Sequence, residues 1–368
     1  MPYTKLSKIT PTYTFDDVQI VPQYSEIQSR SHCDTSTLFT ENYHIDIPLI
    51  ASPMASICEY DMAYEMWRLG GVGIVHRFNS IEEQVKIVDQ LQSQIKNVSE
   101  FSLSNRKDDS YRYTNPVIAA AIGAKEQDIY RARALVEAGA NVLVIDIAHG
   151  HHSSTQHTLE ELKMLRELPN MEFDVIAGNI ATARAVEDLE YWGANGLRVG
   201  IGGGSVCETR IRTGVGIPQV SCLYETSAAA NTPIISCGGT RYPGDVSKAL
   251  VAGASSVILG SMISGTDETP GDVMHFGSYG KRQRMKIYHG SASDVQKTLS
   301  STDMNNIEGT AAMVPMKGSV ERIVNEIMDG VRSAMSYVGA KTIDELYVNG
   351  NFVSVTTNGL REAMPHLL

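Results

Sequence analysis

The chain reads as an α/β protein built as a closed (β/α)8 barrel, the TIM-barrel architecture, with a long active-site flap after the eighth strand. Three observations predict this. First, eight short apolar, β-branched runs alternate with longer helical patterns, at residues 47–52, 71–76, 117–123, 141–148, 174–180, 196–202, 233–239 and 255–261. Runs that are apolar throughout, rather than alternating, are strands covered on both faces, as parallel strands are. Second, several runs are introduced by one phrase, a helix ending in Gly-Ala and then a strand: Glu137-Ala-Gly-Ala140, Trp192-Gly-Ala-Asn195 and Val251-Ala-Gly-Ala254. The glycine there serves as helix C-cap before the next buried strand. Third, the residues after the runs are polar or glycyl: Ser52-Pro-Met54, His76-Arg77, Asp146 and His149, Asn179, a loop carrying Cys207, Cys237-Gly-Gly239, and Gly260-Ser261. Eight repeated units close a barrel rather than an open doubly wound sheet, and a barrel carries its chemistry at the C-terminal strand ends.

The composition bounds the partners. The chain has 368 residues, 42% hydrophobic and 20% charged, an ordinary globular balance that leaves one barrel domain over residues 1–368 as the expected organisation. The net charge of −11 argues against nucleic acid or an anionic membrane surface as partner, since either requires a basic face. Bound phosphates must then be held locally. Cysteines 33, 58, 207, 222 and 237 are odd in number, scattered and without C-x-x-C spacing. Neither a disulfide framework nor a zinc site is indicated, and a reducing, cytoplasmic location is expected. Met1-Pro-Tyr-Thr-Lys5 lacks the apolar core of a signal peptide, and no apolar run approaches the ~20 residues of a membrane span.

The most informative stretch is Arg198-Val-Gly-Ile-Gly-Gly-Gly-Ser-Val-Cys207-Glu-Thr-Arg210. Glycines bring the backbone close to a ligand, and a thiol beside unpaired amide dipoles ionises and attacks carbon. A tight turn holding an incidental small apolar cysteine is the competing reading; Ser205 and Thr209, each two residues from Cys207, favour a nucleophile above an anion cradle. Two stretches interrupt the αβ rhythm. Residues 94–115 form a polar excursion between the second and third units. Residues 271–317 hold Lys281-Arg-Gln-Arg-Met-Lys286, Tyr288-His-Gly-Ser-Ala-Ser293 and a polar stretch to Glu308, a length that in a compact domain marks a functional flap. The basic run reads as a solvated hairpin. His149, His151 and His152 lack a carboxylate or cysteine at ligand spacing, so no metal is expected there.

Ser29-Arg-Ser31, Asp146-Ile-Ala-His-Gly-His151, Ala177-Gly-Asn-Ile-Ala181, Val199-Gly-Ile-Gly with Gly-Ser-Val-Cys207, Gly214-Val-Gly-Ile-Pro-Gln219, Pro243-Gly-Asp245, Gly260-Ser-Met262 and Lys317-Gly-Ser319 occur in this order. Together they resemble the IMP dehydrogenase/GMP reductase family over nearly the whole chain, and most closely its GMP reductases. The resemblance implies the same barrel, assembled as a homotetramer. It also implies that the regulatory CBS pair inserted after the second strand in many relatives is absent, because the excursion before Asn115 is too short. It implies a purine nucleotide whose C2 is attacked by Cys207 to give a thioimidate, with hydride passing between that carbon and NADPH or NADH. The 5′-phosphate is expected on Ser205, Gly239, Gly260, Ser261 and Tyr288. Ser52, Met54, Cys237, Gly238, Gly290 and Ser291 complete the substrate residues. Ser29, Arg30, Arg77, Asp146, Asn179 and Gly202 match the nicotinamide side, with local turn hydrogen bonding as the competing reading of Asp146 and Asn179. The carbonyls of Gly202, Gly204 and Cys207 match a potassium site.

The two branches of the family differ in what resolves the covalent intermediate. A dehydrogenase hydrolyses it with an Arg-Tyr pair on the flap, and residues 290–317 contain neither Arg nor Tyr. A reductase moves ammonia with a Thr-Glu pair, which Thr209 and Glu308 match. The expected function is NADPH-dependent reductive deamination of GMP or dGMP to the hypoxanthine nucleotide and ammonia. The alternatives are an IMP dehydrogenase, which the tail Asn358-Gly-Leu-Arg-Glu362 with Pro365-His366 favours, and a catalytically silent nucleotide-binding barrel. Three departures from the family pattern stand out: Gly203 between the loop glycines, Glu208 in place of Thr, and Ser236-Cys237-Gly-Gly where an Asp-Gly-Gly receives the ribose hydroxyls. A thiol does not replace that carboxylate. Either the sugar is deoxyribose, or another group such as Ser236 or a flap side chain supplies the acceptor.

Overall fold

The computed structural model describes residues 9–104, 110–277, 282–299 and 305–363. Eight parallel strands close into a barrel: β1 (Leu49–Ala51), β2 (Val72–Val75), β3 (Ala119–Ile122), β4 (Val142–Asp146), β5 (Asp174–Ile180), β6 (Gly196–Val199), β7 (Ile234–Cys237) and β8 (Ser256–Leu259). Each lies inside one of the expected runs. β6 and β7 are shorter than their runs because glycine geometry ends them. The backbone turns to φ +132° at Gly200 after β6, and to +98° and +89° at Gly238 and Gly239 after β7, values that favour glycine over residues with a Cβ.

The period-2 alternation of each strand divides the core in two. Ile50, Val72, Ile74, Ala119, Ala121, Val142, Val144, Ile176, Ile235 and Ile258 fill the barrel interior, and Phe39 and Ile45 close it at the N-terminal end. Leu49, Ala51, Val75, Leu143, Ile145, Val175, Leu197, Val199, Ile234 and Val257 face outward into the layer between strands and helices. The same alternation fixes which side chains form the top inward layer. Asp146 follows Val142 and Val144, Gly178 follows Ile176, Arg198 lies between outward Leu197 and Val199, and Cys237 follows Ile235. The interior is therefore apolar at the bottom and carries an Asp, an Arg and a Cys at the mouth.

Between β2 and β3 the excursion is largely the helix Ile81–Ser104 and the short helix Tyr111–Thr114. After β8 the flap is a three-stranded antiparallel sheet of β9 (Met274–Phe276), β10 (Gln283–His289) and β11 (Ala311–Pro315) with β10 in the middle, plus the helix Asp294–Leu299. The solvated-hairpin expectation needs correction here. Arg282, Gln283 and Arg284 are exposed, but Lys286 is buried. Its ammonium donates to the carbonyls of Thr266, Asp267 and Thr269 and to the Thr269 hydroxyl, and burial pulls its pKa down. Lys286 pins the flap to the turn after β8 instead of facing water. Lys281, Met1–Lys5 and Pro365-His366 lie outside the described residues. Among the described residues no helix is long and apolar enough to cross a membrane.

Candidate active site

The loop after β6 is fastened by one arginine. Arg210 donates from Nε to the Ile201 carbonyl at 3.1 Å and from Nη2 to the Ile217 carbonyl at 2.6 Å. Its stem lies so close to Gly202, at φ +75°, that a Cβ there would sit 2.5 Å from Cγ. The Cys207 amide donates back to the Gly204 carbonyl at 3.1 Å and tightens the turn. Half-buried Cys207 then has its Sγ 3.2 Å from the Thr209 hydroxyl, which donates to Glu308 Oε2 at 2.8 Å. Glu308 arrives from far along the chain because the flap backbone pairs with the loop. Gly309 forms bridges to Cys207 and Ser293. The Glu208 amide donates to the Glu308 carbonyl at 2.8 Å, and the Thr310 amide to the Val206 carbonyl at 2.9 Å. With its proton committed to the carboxylate, the Thr209 oxygen is free to accept from the thiol. The line thiol, hydroxyl, carboxylate is a proton path ending at a group able to hold the proton. The remaining cysteines outside the barrel mouth are poor nucleophiles: burial pushes Cys222 up to about 12 and raises Cys33 and Cys58 as well.

Beside this loop lies the expected phosphate cradle. Gly238 packs on Gly203 and Gly204, where a Cβ would approach the backbone to 3.0 Å. Gly260 follows β8 next to Ser52 and Met54 after β1, whose backbones meet through the Ser52 amide and the Leu259 carbonyl at 3.0 Å. From β10, Tyr288 reaches in so that its hydroxyl stands 3.0 Å from where a Gly260 Cβ would be, and the Ser205 hydroxyl donates to it at 3.4 Å. Burial raises the Tyr288 pKa, so the phenol remains a donor. Glycyl amides with two hydroxyls make an anion site without a net basic charge. The structure thus brings Ser52, Met54, Ser205, Gly238, Gly239, Gly260 and Tyr288 together. Two other expected groups have their own bonds. The Gly290 amide donates to the Thr310 carbonyl at 3.1 Å, with Ser291 next to it, and the Ser261 carbonyl accepts from Lys317 Nζ at 2.7 Å.

At the barrel mouth the sequence reading missed Arg198. Its guanidinium is buried, donates from Nε to Cys237 Sγ at 3.2 Å and from Nη1 to Asp146 Oδ1. Burial alone works against its charge, but Cys237 and Asp146 hold its pKa above the ordinary value. Gly178 makes the crossing from β6 to β4 possible, since a Cβ there would lie 2.6 Å from Arg198 Cβ. The available signal was the strand alternation itself, which turns Arg198 inward in Gly196-Leu-Arg-Val199.

A family model described as the IMP dehydrogenase / GMP reductase domain matches residues 12–366. The chain belongs to this family. The inosine-5′-monophosphate dehydrogenase of Cryptosporidium parvum is 38% identical over 96% of this chain and 94% of its own length. The GMP reductase of Leishmania donovani is 31% identical, covering 96% of each chain. Among solved structures, a crystal structure of GMP reductase from Trypanosoma brucei in complex with guanosine 5′-monophosphate superposes with a TM-score of 0.88, 31% sequence identity and 100% coverage of both chains. The chain is an oxidoreductase of the family, whose members use a nicotinamide cofactor.

The residues at the barrel mouth fit that cofactor. Partly exposed Arg77 after β2 donates from Nε to the Asp146 carbonyl at 3.1 Å and lies 3.9 Å from the Asp146 carboxylate, which places a cation at the barrel mouth. The bond Asn179 makes is not a local turn bond: its Nδ2 donates to the Gly200 carbonyl at 2.6 Å, from the end of β5 to the loop after β6; its oxygen remains for a ligand. Ser29 and Arg30 are elsewhere. They begin the 3-10 turn Arg30–His32, which packs on the helix Val320–Val338, so one chain does not bring them to Arg77, Asp146 and Asn179. For a monovalent cation, Gly202, Gly204 and Cys207 offer carbonyls only, the donor chemistry of potassium, although one lone pair of Gly204 is taken by the Cys207 amide. His151 pairs with Asp188 at 2.8 Å and His152 caps the helix Ser153–Arg166, structural uses for both histidines.

Proposed function

We propose that the chain reduces a guanine mononucleotide to the hypoxanthine nucleotide with release of ammonia, NADPH being the reductant. The observation that carries this reading is the line from Cys207 through Thr209 to Glu308. In the first step Cys207 loses its proton along that line and its sulfur adds to C2 of the guanine. The proton returns through Thr209 to the exocyclic nitrogen, the C2–N bond breaks, and ammonia leaves a thioimidate on Cys207. The hydride that C2 receives would come from a reduced nicotinamide held by Arg77, Asp146 and Asn179. The C2–S bond then breaks, the sulfur regains a proton, and the balance is guanine nucleotide, reduced nicotinamide and two protons in, hypoxanthine nucleotide, ammonium and oxidised nicotinamide out. Arg77, Asp146 and Asn179 would hold the nicotinamide, and Ser205, Gly239, Gly260 and Tyr288 the phosphate. The carbonyls of Gly202, Gly204 and Cys207 would hold potassium, in a homotetramer of single barrels without an inserted regulatory module.

Oxidation of the hypoxanthine nucleotide to the xanthine nucleotide is the second reading, favoured by the 38% identity to a dehydrogenase. Against it, residues 290–317 offer no guanidine or phenol to activate water. The test is purified protein with a guanine mononucleotide and NADPH, following reduced-nicotinamide absorbance and ammonia together. Equal molar loss of one and gain of the other is expected. Absence of ammonia, with NAD-dependent formation of a xanthine nucleotide, overturns the reading.

A further inference from the structure

We infer that the sugar subsite is built for 2′-deoxyribose, with Cys237 and Arg198 as the specificity-determining residues. This rests on the reading of a purine mononucleotide at Cys207 and deepens it. The placement follows from the two ends of such a ligand. Its base must reach Cys207, and its phosphate must reach Ser205, Gly260 and Tyr288. Cys237 stands between them. It ends β7, points inward by the alternation of that strand, and is followed by Gly238, which packs directly on Gly203 and Gly204 of the nucleophile loop.

A sugar held here brings its hydroxyl protons against a partly buried wall, and each hydroxyl taken from water needs an acceptor. A ribose brings two and a 2′-deoxyribose one. Of the acceptors around Cys237, its own sulfur and one Asp146 oxygen already take protons from Arg198. The sulfur is a weak acceptor and already takes the Arg198 Nε proton at 3.2 Å. The Asp146 carboxylate is ion-paired to Arg198 and flanked by Arg77. Ser236 is fully buried on the opposite face of β7, where its hydroxyl accepts from Gln219 Nε2 at 3.2 Å, so it is not the substitute acceptor considered from the sequence. A 2′-hydroxyl at this position meets a polarizable sulfur and a guanidinium that is held in place on both sides. A 2′-methylene packs on the same sulfur without leaving a polar group unpaired.

The test is kcat/KM for dGMP and GMP with NADPH on the unmodified enzyme. A site without the hydroxyl's partner rejects it by about 10- to 100-fold, so dGMP is expected to be preferred by about tenfold or more. Cys237→Asp, which places a carboxylate where the sulfur was, should shift the ratio toward GMP by about tenfold or more. In parallel, Kd values of dGMP, GMP, dIMP and IMP for Cys207→Ala read sugar preference without turnover. Should Cys237→Asp not fold, those four Kd values decide alone. Equal or tighter binding of the ribonucleotides, or GMP preferred in the unmodified enzyme, overturns the inference. Tight, selective dIMP and dGMP binding without ammonia release overturns the reductase reading and leaves the sugar inference standing.

Discussion

Cys207 and Cys237 are both half-buried, one in the loop after β6 and the other at the end of neighbouring β7, but their company differs. Cys207 lies in an irregular glycine loop and faces a hydroxyl that is itself bonded to a carboxylate, at 3.2 and 2.8 Å. Cys237 is the last residue of a regular strand and faces a buried guanidinium that is also tied to Asp146. A thiol opposite a proton acceptor that leads to Glu308 is equipped to lose its proton and regain it. Cys237 accepts from an arginine that is itself tied to Asp146, and among the described residues has no hydroxyl and carboxylate in line through which a proton leaves and returns. The residue type is the same; the hydrogen-bond partners, delivered by the flap in one case and by strand alternation in the other, divide the roles.

The largest expected effect is at the proposed nucleophile. Cys207→Ala should lower kcat by about a thousandfold or more while nucleotide Kd changes little, because the cradle of Ser205, Gly260 and Tyr288 is built by other residues. Steady-state kinetics with calorimetry on the same preparation checks both halves. Next in size is the carboxylate. Glu308→Gln should lower kcat by about 10²- to 10⁴-fold, with KM for the nucleotide nearly unchanged, as removal of a proton-transfer group does. A matched rise in KM without loss of kcat would place Glu308 in binding instead.

On the Cys237 side the expected effects are structural. Gly178→Ala puts a Cβ 2.5 Å from the Arg198 carbonyl and 2.6 Å from its Cβ, and overpacking of this kind costs about 1–3 kcal/mol. Thermal unfolding should register the loss, and the sugar preference should weaken with it as the guanidinium shifts. The smallest effect concerns the flap. Burial pulls the His289 pKa below its ordinary 6.5, so the neutral imidazole contributes stability above that pH. The contribution is lost as pH falls below 6.5 and through the lower folded-state value. The Tm should decline over that interval, and His289→Asn should flatten the decline.

Much of this was legible before any coordinates. The eight strands could be read because parallel strands covered on both faces are predominantly apolar, and the ends of β6 and β7 because glycines follow them. Cys207 and Thr209 could be paired because they are two residues apart. Arg198 was hidden for the opposite reason. It lies within a run read only for its apolar character, and only tracking inward and outward positions places it beside Cys237. The burial of Lys286 was equally hidden, because its carbonyl partners at Thr266, Asp267 and Thr269 come from the turn after β8 and nothing local marks one lysine of a basic run as different. Contacts such as Gly309 with Cys207 depend on a flap folding back across the barrel mouth, which no local pattern specifies.

The division of labour between the two thiols is tested most directly by alkylation followed peptide by peptide. The enzyme is treated with iodoacetamide, with and without a guanine mononucleotide, and modification of each cysteine is compared with residual activity over time. Activity should fall in step with modification of Cys207, and the nucleotide should protect both together. Loss of activity that tracks Cys237 while Cys207 remains unmodified would contradict the account.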